Sequence, residues 1–337
     1  MNISKIKNIL DNFSEFSGVV QIIEDGCILM NASKGYAKRF DEIPNSITTS
    51  FGIASGTKGF TALAILKLID DGKLSLSDDV FSLLPYNFPN IKERITVKHL
   101  LTHTSGIYDY FDEDILDDFS HMFKIVPINK MLGPADMLPL LTVGECYFSP
   151  GEKFKYCNSG FVILGILVEE VSAMKYSEYL DKHIINPLNL KGTGCFSTNQ
   201  LPKVAAHGYI KNSDGSWVSN IFEIPLACTA DGGLYTTTDD ISKMWYGFIN
   251  GSIISESLKE LALSPHVQIH DDQYYGLGFY MQENTDKSIK KYYLVGSDPG
   301  VGFLSYYYPK EKRIITIISN ANDTAWDFNR MIKEYID

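Results

Sequence analysis

Two strand-turn-strand patterns, one near each end of the chain, constrain this fold more than anything between them. Gly18-Val-Val-Gln-Ile-Ile runs through Glu24-Asp25-Gly26 into Cys27-Ile-Leu-Met, two apolar segments about an Asp-Gly turn. Gly302-Phe-Leu-Ser-Tyr-Tyr-Tyr and Arg313-Ile-Ile-Thr-Ile-Ile-Ser flank Pro309-Lys-Glu-Lys in the same way. The intervening stretch shows helical periods and loops marked by Pro and Gly, such as the apolar run from Phe161 to Val171. Residues 57–71 are apolar on most faces and stop at Gly72, which predicts a helix buried in the middle of the protein. An amphipathic helix is expected at the N-terminus, and the chain is expected to end in a helix from about Thr324. The prediction is an α/β (α+β) chain with one antiparallel sheet built from both termini and flanked by helices. Its expected parts are an α/β subdomain over 1–75 and 266–337, an inserted, mostly helical subdomain over 76–265, and a cleft between them.

Composition excludes several function classes. The 337 residues carry a formal net charge of -11 and no run of Lys and Arg, which argues against nucleic acid as a partner. No apolar stretch approaches the roughly 20 residues that span a bilayer. Met1-Asn-Ile-Ser-Lys-Ile-Lys has lysines but no following apolar core, so no export signal is expected and the cytoplasm is the expected location. Cys27, Cys146, Cys157, Cys195 and Cys228 are odd in number and lack a Cys-x-x-Cys pair, which predicts mostly buried free thiols and no zinc site.

The sharpest chemical signal is Ser55-Gly56-Thr57-Lys58, where a short strand passes into the buried helix. A serine at a helix start has its amide free for an oxyanion, and a lysine three residues on shares its helix face. Enclosure by apolar neighbours lowers the lysine pKa, so that a neutral amine can take the serine proton. The plainer reading of the tetrad alone is a capped helix with a solvated lysine. Tyr156-Cys157-Asn158 precedes a second apolar helix and can present a phenol and an amide to one pocket, although a chain with 20 tyrosines produces such a triplet by chance.

Together with Ile95-Thr-Val-Lys-His-Leu-Leu-Thr-His-Thr-Ser-Gly-Ile, Phe148-Ser-Pro-Gly-Glu-Lys-Phe-Lys and Asp231-Gly-Gly-Leu-Tyr-Thr-Thr-Thr-Asp-Asp-Ile, these motifs resemble the class C β-lactamase family and its D,D-peptidase, D-aminopeptidase and esterase relatives. The resemblance runs from about residue 15 to 320. It implies the penicillin-recognising serine hydrolase fold, with Ser55 as nucleophile, Lys58 as base and Tyr156 as proton relay to the leaving group. It implies no metal and no organic cofactor, while Asn158, from its place in the Tyr-x-Asn triplet, is read as the amide that orients the substrate or the lysine.

One segment departs from the family pattern. Where Lys-Thr-Gly or His-x-Gly is usual, this chain reads Val295-Gly-Ser-Asp-Pro-Gly-Val-Gly-Phe. The preferred frame makes Asp298-Pro299-Gly300 the equivalent, with Gly300 as the small residue and the Val301 amide as second oxyanion donor. A frame shifted by one puts Ser297 first and Pro299 at the glycine position. Either frame lacks the cation, which weighs against carboxylate-bearing β-lactams and D,D-peptides. Asp298 then lines the pocket and favours a neutral ester or a substrate with a free amine, unless it merely opens a turn with Pro299.

His99 and His103 are expected to be scaffold, and Cys157 to pack. Ile107-Tyr-Asp-Tyr-Phe-Asp-Glu-Asp reads either as an aromatic, acidic wall over the pocket or as a solvated loop. The expected activity is hydrolysis of an amide or ester, a D-amino-acid peptide or small ester, through a Ser-Lys-Tyr acyl-enzyme, with β-lactam acylation in reach. The alternative is a penicillin-binding or sensor protein that acylates with little turnover. Its expected partner is a small molecule or short peptide.

Overall fold

Asp25 and Gly26 both take positive φ, 46° and 78°, and fold strand β1 (Gly18–Glu24) against β2 (Cys27–Lys34). The structure is a computed structural model that describes residues 1–337 except 117, 322 and 337. The C-terminal hairpin, β7 (Val301–Tyr308) and β8 (Arg313–Ser319), joins β1 directly, in register from Gly18 opposite Ser319 to Glu24 opposite Arg313. Four strands extend the sheet on the far side: β3 (Val267–His270), β4 (Gln273–Tyr275), β5 (Tyr280–Glu283) and β6 (Ile289–Asp298). The order is β2-β1-β8-β7-β6-β5-β4-β3, every neighbour antiparallel.

Side chains alternate across the sheet, and both faces are covered. Val20, Ile22, Leu304, Tyr306, Ile315 and Ile317 turn to one face, where helix α1 (Ile3–Asn12) and helix α5 (Thr324–Ile336) supply Ile6, Leu10, Phe328 and Ile332. Val19, Phe303, Tyr307, Ile314 and Ile318 turn to the other face and continue into the main core. Helix α2 (Thr57–Asp70) runs through that core, buried on every side from Thr57 to Leu66, and ends before Gly72 at φ 69°. Each large apolar side chain buried this way contributes about 1.5–3 kcal/mol.

The helical stretch contributes α3 (Asn158–Ser172), which packs on α2, and α4 (Thr238–Ile249), which packs on β1 and β8. The sheet face under α4 is partly polar: Trp245 donates to Ser305 Oγ at 2.9 Å, and Ser242 donates to Gln21 at 2.9 Å. No helix among the described residues is long and apolar enough to cross a membrane. All five cysteines are free thiols. Cys27 and Cys146 are exposed, against the expectation of mostly buried thiols, while Cys157 and Cys228 are buried and Cys195 is half-buried.

Candidate active site

Ser55 sits in the tight turn Ala54–Gly56 that leads into α2, with Ala54 held at φ 46°. A positive φ at alanine costs of order 1 kcal/mol and is tolerated where surrounding bonds fix the turn. Here Thr57 donates to the Ala54 carbonyl at 2.7 Å and accepts from the Leu234 amide at 3.0 Å. The first helical turn carries Lys58 under Ser55, and Nζ lies 2.9 Å from Ser55 Oγ.

Lys58 Nζ donates to Asn158 Oδ1 at 2.7 Å and to the Asp231 carbonyl at 2.9 Å. A neutral amine has two N–H bonds and one lone pair. When the amine is neutral and both N–H bonds go to those acceptors, its lone pair is left for Ser55. Burial lowers the Lys58 pKa, opposed by Asp231, Glu113, Asp109 and Asp298 in that order. Tyr156 Oη donates to Ser55 Oγ at 2.7 Å, and burial raises its pKa well above the usual phenol value, which keeps the phenol protonated.

Asn158 and the Asp231 loop are set by Asp109 and Tyr110, which sequence reasoning did not single out individually. Helix α3 begins at Asn158 without a side-chain cap of its own. Asp109 supplies the cap from a distant loop, accepting from the Asn158 amide at 3.0 Å and the Ser159 amide at 2.9 Å. Burial pushes the Asp109 pKa up to about 7, opposed by those two N–H bonds and by Lys58. Tyr110, next in sequence, donates to the Asp231 carboxylate, which also accepts from Thr229 at 2.7 Å. Asp109 and Tyr110 thus brace the two residues that receive the lysine N–H bonds. His103 is buried, accepts from the Cys157 amide at 3.1 Å and packs its ring 4.6 Å from that of Tyr156, the scaffold role expected of it. Burial holds His103 well below the usual imidazole range, followed by the charge of Lys58. Cys157 is buried, and its thiol is pushed well up by burial, so it packs rather than reacts.

The strand beside the nucleophile differs from the expected frame. A Cβ on Gly296 would stand 2.2 Å from the Ile53 carbonyl oxygen and 2.9 Å from the Ser55 amide nitrogen, so β6 crosses the nucleophile turn at Gly296. Gly300 instead sits with Pro299 in the two-residue β6–β7 turn at φ 73°, which explains both residues as turn chemistry. That turn closes on the pair Asp298 and Val301, whose hydrogen bonding occupies the Val301 amide. Alternation along the ladder turns the Ser297 amide to the opposite edge, on the side of Ser55. The matching triplet is therefore Leu294-Val295-Gly296, with Leu294 packed over Gly59 of α2 where the family has a cation.

Ser55 forms part of the wall between two cavities. The first is walled by Phe111, Phe119, Phe196, Ile224 and Tyr235, with Asn158, Asp298 and Val301 also reaching it. The second includes Tyr156, Tyr280, Gly296 and Ser297, together with Asp112, Glu113 and Asp114. Residues 110–114 thus form the aromatic, acidic wall that the sequence suggested, and Lys155 pairs with Asp112 and Asp114 at 3.1 and 2.9 Å. Asp298 is half-buried, and burial raises its carboxyl to about 8, opposed by Lys58 and reinforced by Asp231 and Glu113. Among the described residues, neither cavity is lined by a Lys or Arg side chain. No cluster of three His, Cys, Asp or Glu side chains suited to a metal ion occurs among them either.

Comparison with known proteins bears on the family and the fold. A family model described as Beta-lactamase matches residues 6–336. A crystal structure of a penicillin binding protein from Bacillus halodurans is 38% identical, superposes with a TM-score of 0.92, and covers 98% of this chain and 100% of that one. The octameric penicillin-binding protein homologue from Pyrococcus abyssi is 28% identical at a TM-score of 0.83, covering 99% and 78%. A Bacillus subtilis (strain 168) protein provisionally named as penicillin-binding protein PbpX is 30% identical over 321 residues, 95% of this chain and 74% of its own length.

Proposed function

The chain belongs to the Beta-lactamase family, and from that membership we propose that it is a serine hydrolase working through an acyl-enzyme on Ser55. The observation that carries this reading is Ser55 Oγ placed 2.9 Å from Lys58 Nζ and 2.7 Å from Tyr156 Oη beside two cavities. Ser55 Oγ attacks the carbonyl carbon of an ester or amide while its proton passes to neutral Lys58. The amides of Ser55 and Ser297 face the resulting oxyanion. Tyr156 Oη protonates the leaving group and recovers a proton from Lys58 as the bond from carbonyl carbon to leaving group breaks. Water then repeats the sequence and frees the acid.

The test is intact mass after exposure to a fluorophosphonate, with Ser55→Ala as control. The expected result is one adduct on the wild-type chain and none on Ser55→Ala. An unlabelled wild-type chain that is shown to be folded removes the hydrolase reading. A second reading, a penicillin-binding protein with little turnover, is favoured by the name of the 38% identical relative. A penicillin adduct that persists for hours, with no ester turnover, would select it.

With no cation lining either cavity, the site favours substrates without a carboxylate. Asp298 makes the preference pH-dependent. Its carboxyl, ordinarily ionised above about 4, stays largely neutral in the fold until pH passes about 8. An acyl ester carrying a quaternary ammonium therefore gains about tenfold in kcat/KM over its neutral isostere between pH 7 and 9. Asp298→Asn flattens that rise. A wild-type ratio that stays constant from pH 7 to 9 would show that Asp298 does not meet the substrate.

A further inference from the structure

We propose that the cavity walled by Phe111, Phe119, Phe196, Ile224 and Tyr235 is the acyl subsite, and that it selects uncharged acyl groups with long or aromatic apolar chains. This rests on the serine hydrolase reading of Ser55 and adds which part of the substrate lies where.

The assignment follows from which cavity each catalytic group faces. Ser55 belongs to both cavities, but Tyr156 lines only the second. Tyr156 Oη must reach the leaving atom to protonate it, so the leaving group departs into the second cavity. The acyl chain, on the other side of the same carbonyl carbon, is left with the first. The second cavity, with Asp112, Glu113 and Asp114, suits a polar leaving group; the first, although Glu113, Asp231 and Asp298 border it, is mostly aromatic and aliphatic.

The acidic and polar groups bordering the first cavity are largely satisfied within the protein. The Asp231 carboxylate accepts from Tyr110 and Thr229, and Asn158 Nδ2 donates to the Phe111 carbonyl at 2.9 Å. At neutral pH Asp298 is mostly uncharged, since its carboxyl is raised to about 8. Thr198 Oγ1, buried on this wall without a hydrogen-bond partner, offers a neutral bond to an acyl chain that carries an oxygen. Glu113, which borders both cavities, accepts from Asn158 Nδ2 at 3.5 Å, and an apolar chain entering the first cavity covers mostly apolar wall.

The experiment is kcat/KM at pH 7 on p-nitrophenyl acetate, butyrate and hexanoate, which share one leaving group. Burial of a methylene is worth about fourfold (~0.8 kcal/mol). Hexanoate, four methylenes longer, is therefore expected to exceed acetate by about 200-fold. Ala227→Leu, which adds bulk to the same wall, is expected to lower the hexanoate-to-acetate ratio about tenfold. An acetate value equal to or above the hexanoate value overturns the proposal, and so does a hexanoate preference that Ala227→Leu leaves intact. If Ala227→Leu does not fold, the wild-type series decides alone. Fluorophosphonate labelling separates the two failures. A labelled chain with a flat or inverted series loses only this assignment, whereas a chain that neither labels nor turns over any ester loses the hydrolase reading and this one with it.

Discussion

Lys58→Met lowers the rate of Ser55 labelling by a fluorophosphonate about 10²–10⁴-fold while the chain stays folded. The thioether matches the length of the lysine stem and removes only the group that takes the serine proton. Stability responds less than activity. Asn158 Oδ1 and the Asp231 carbonyl each lose a donor at about 1–3 kcal/mol, partly offset because a buried amine no longer needs desolvation. The pH dependence gives the diagnostic sign. In the folded chain the amine loses its proton below the ordinary 10.5, so the wild-type labelling rate rises with pH through that lowered value, and Lys58→Met loses this limb. The unfolded chain holds the extra proton between the two values, so wild-type stability also rises with pH across that window, a slope the variant lacks. Labelling at the wild-type rate in a folded Lys58→Met chain would mean that another group activates Ser55.

Gly296→Val destroys activity and destabilises the fold by about 3 kcal/mol. Its Cβ meets backbone on the other side, the Ile53 carbonyl at 2.2 Å and the Ser55 amide at 2.9 Å, and neither can step aside as a flexible side chain would. Strand β6 has to lift off the nucleophile turn, and a displacement of about 1 Å at a reacting centre costs on the order of 100-fold. Gly300→Ala is the informative partner. It also destabilises, because φ is 73° and its Cβ would stand 2.7 Å from the Tyr209 amide, but that crowding lies away from Ser55. Active-site titration with a fluorophosphonate, read beside a urea melt, should return near wild-type turnover per folded molecule for Gly300→Ala and almost none for Gly296→Val. The reverse pattern would restore the frame centred on Gly300 and Val301.

The parts of this site legible in the sequence were those fixed by local geometry. Ser55 and Lys58 are one helical turn apart, and Tyr156 and Asn158 share one short loop, so spacing alone makes each pair plausible. The two terminal hairpins were legible for the same reason, through apolar runs broken by Asp-Gly and Pro-Lys turns. Asp109 was hidden because it caps a helix that begins far from it in sequence, and spacing carries no trace of that. Asp231 was hidden because it serves Lys58 through a backbone carbonyl, which any residue type supplies. Gly296 was missed because Leu294 replaces the charged residue that usually marks the frame, while Gly300 is the more conspicuous glycine. Strands β3 to β5 are short and carry polar, partly exposed residues such as Gln268, His270 and Gln273, so no alternating apolar run announced them.

The strand that completes the oxyanion side of the site is a late arrival during synthesis. Ser55, Lys58, Tyr156 and Asn158 have all left the ribosome before Gly296 and Ser297 are made. Strand β6 then finds its place only when β7 and β8 pair behind it and β8 docks on β1, the first strand synthesised. Such distant pairing is slow to form compared with a local hairpin. A nascent or stalled chain therefore carries its nucleophile and base in a chemically idle state. Proteolytic loss of the β7–β8 hairpin would return the finished protein to that state, silencing it while Ser55, Lys58 and Tyr156 stay in the chain.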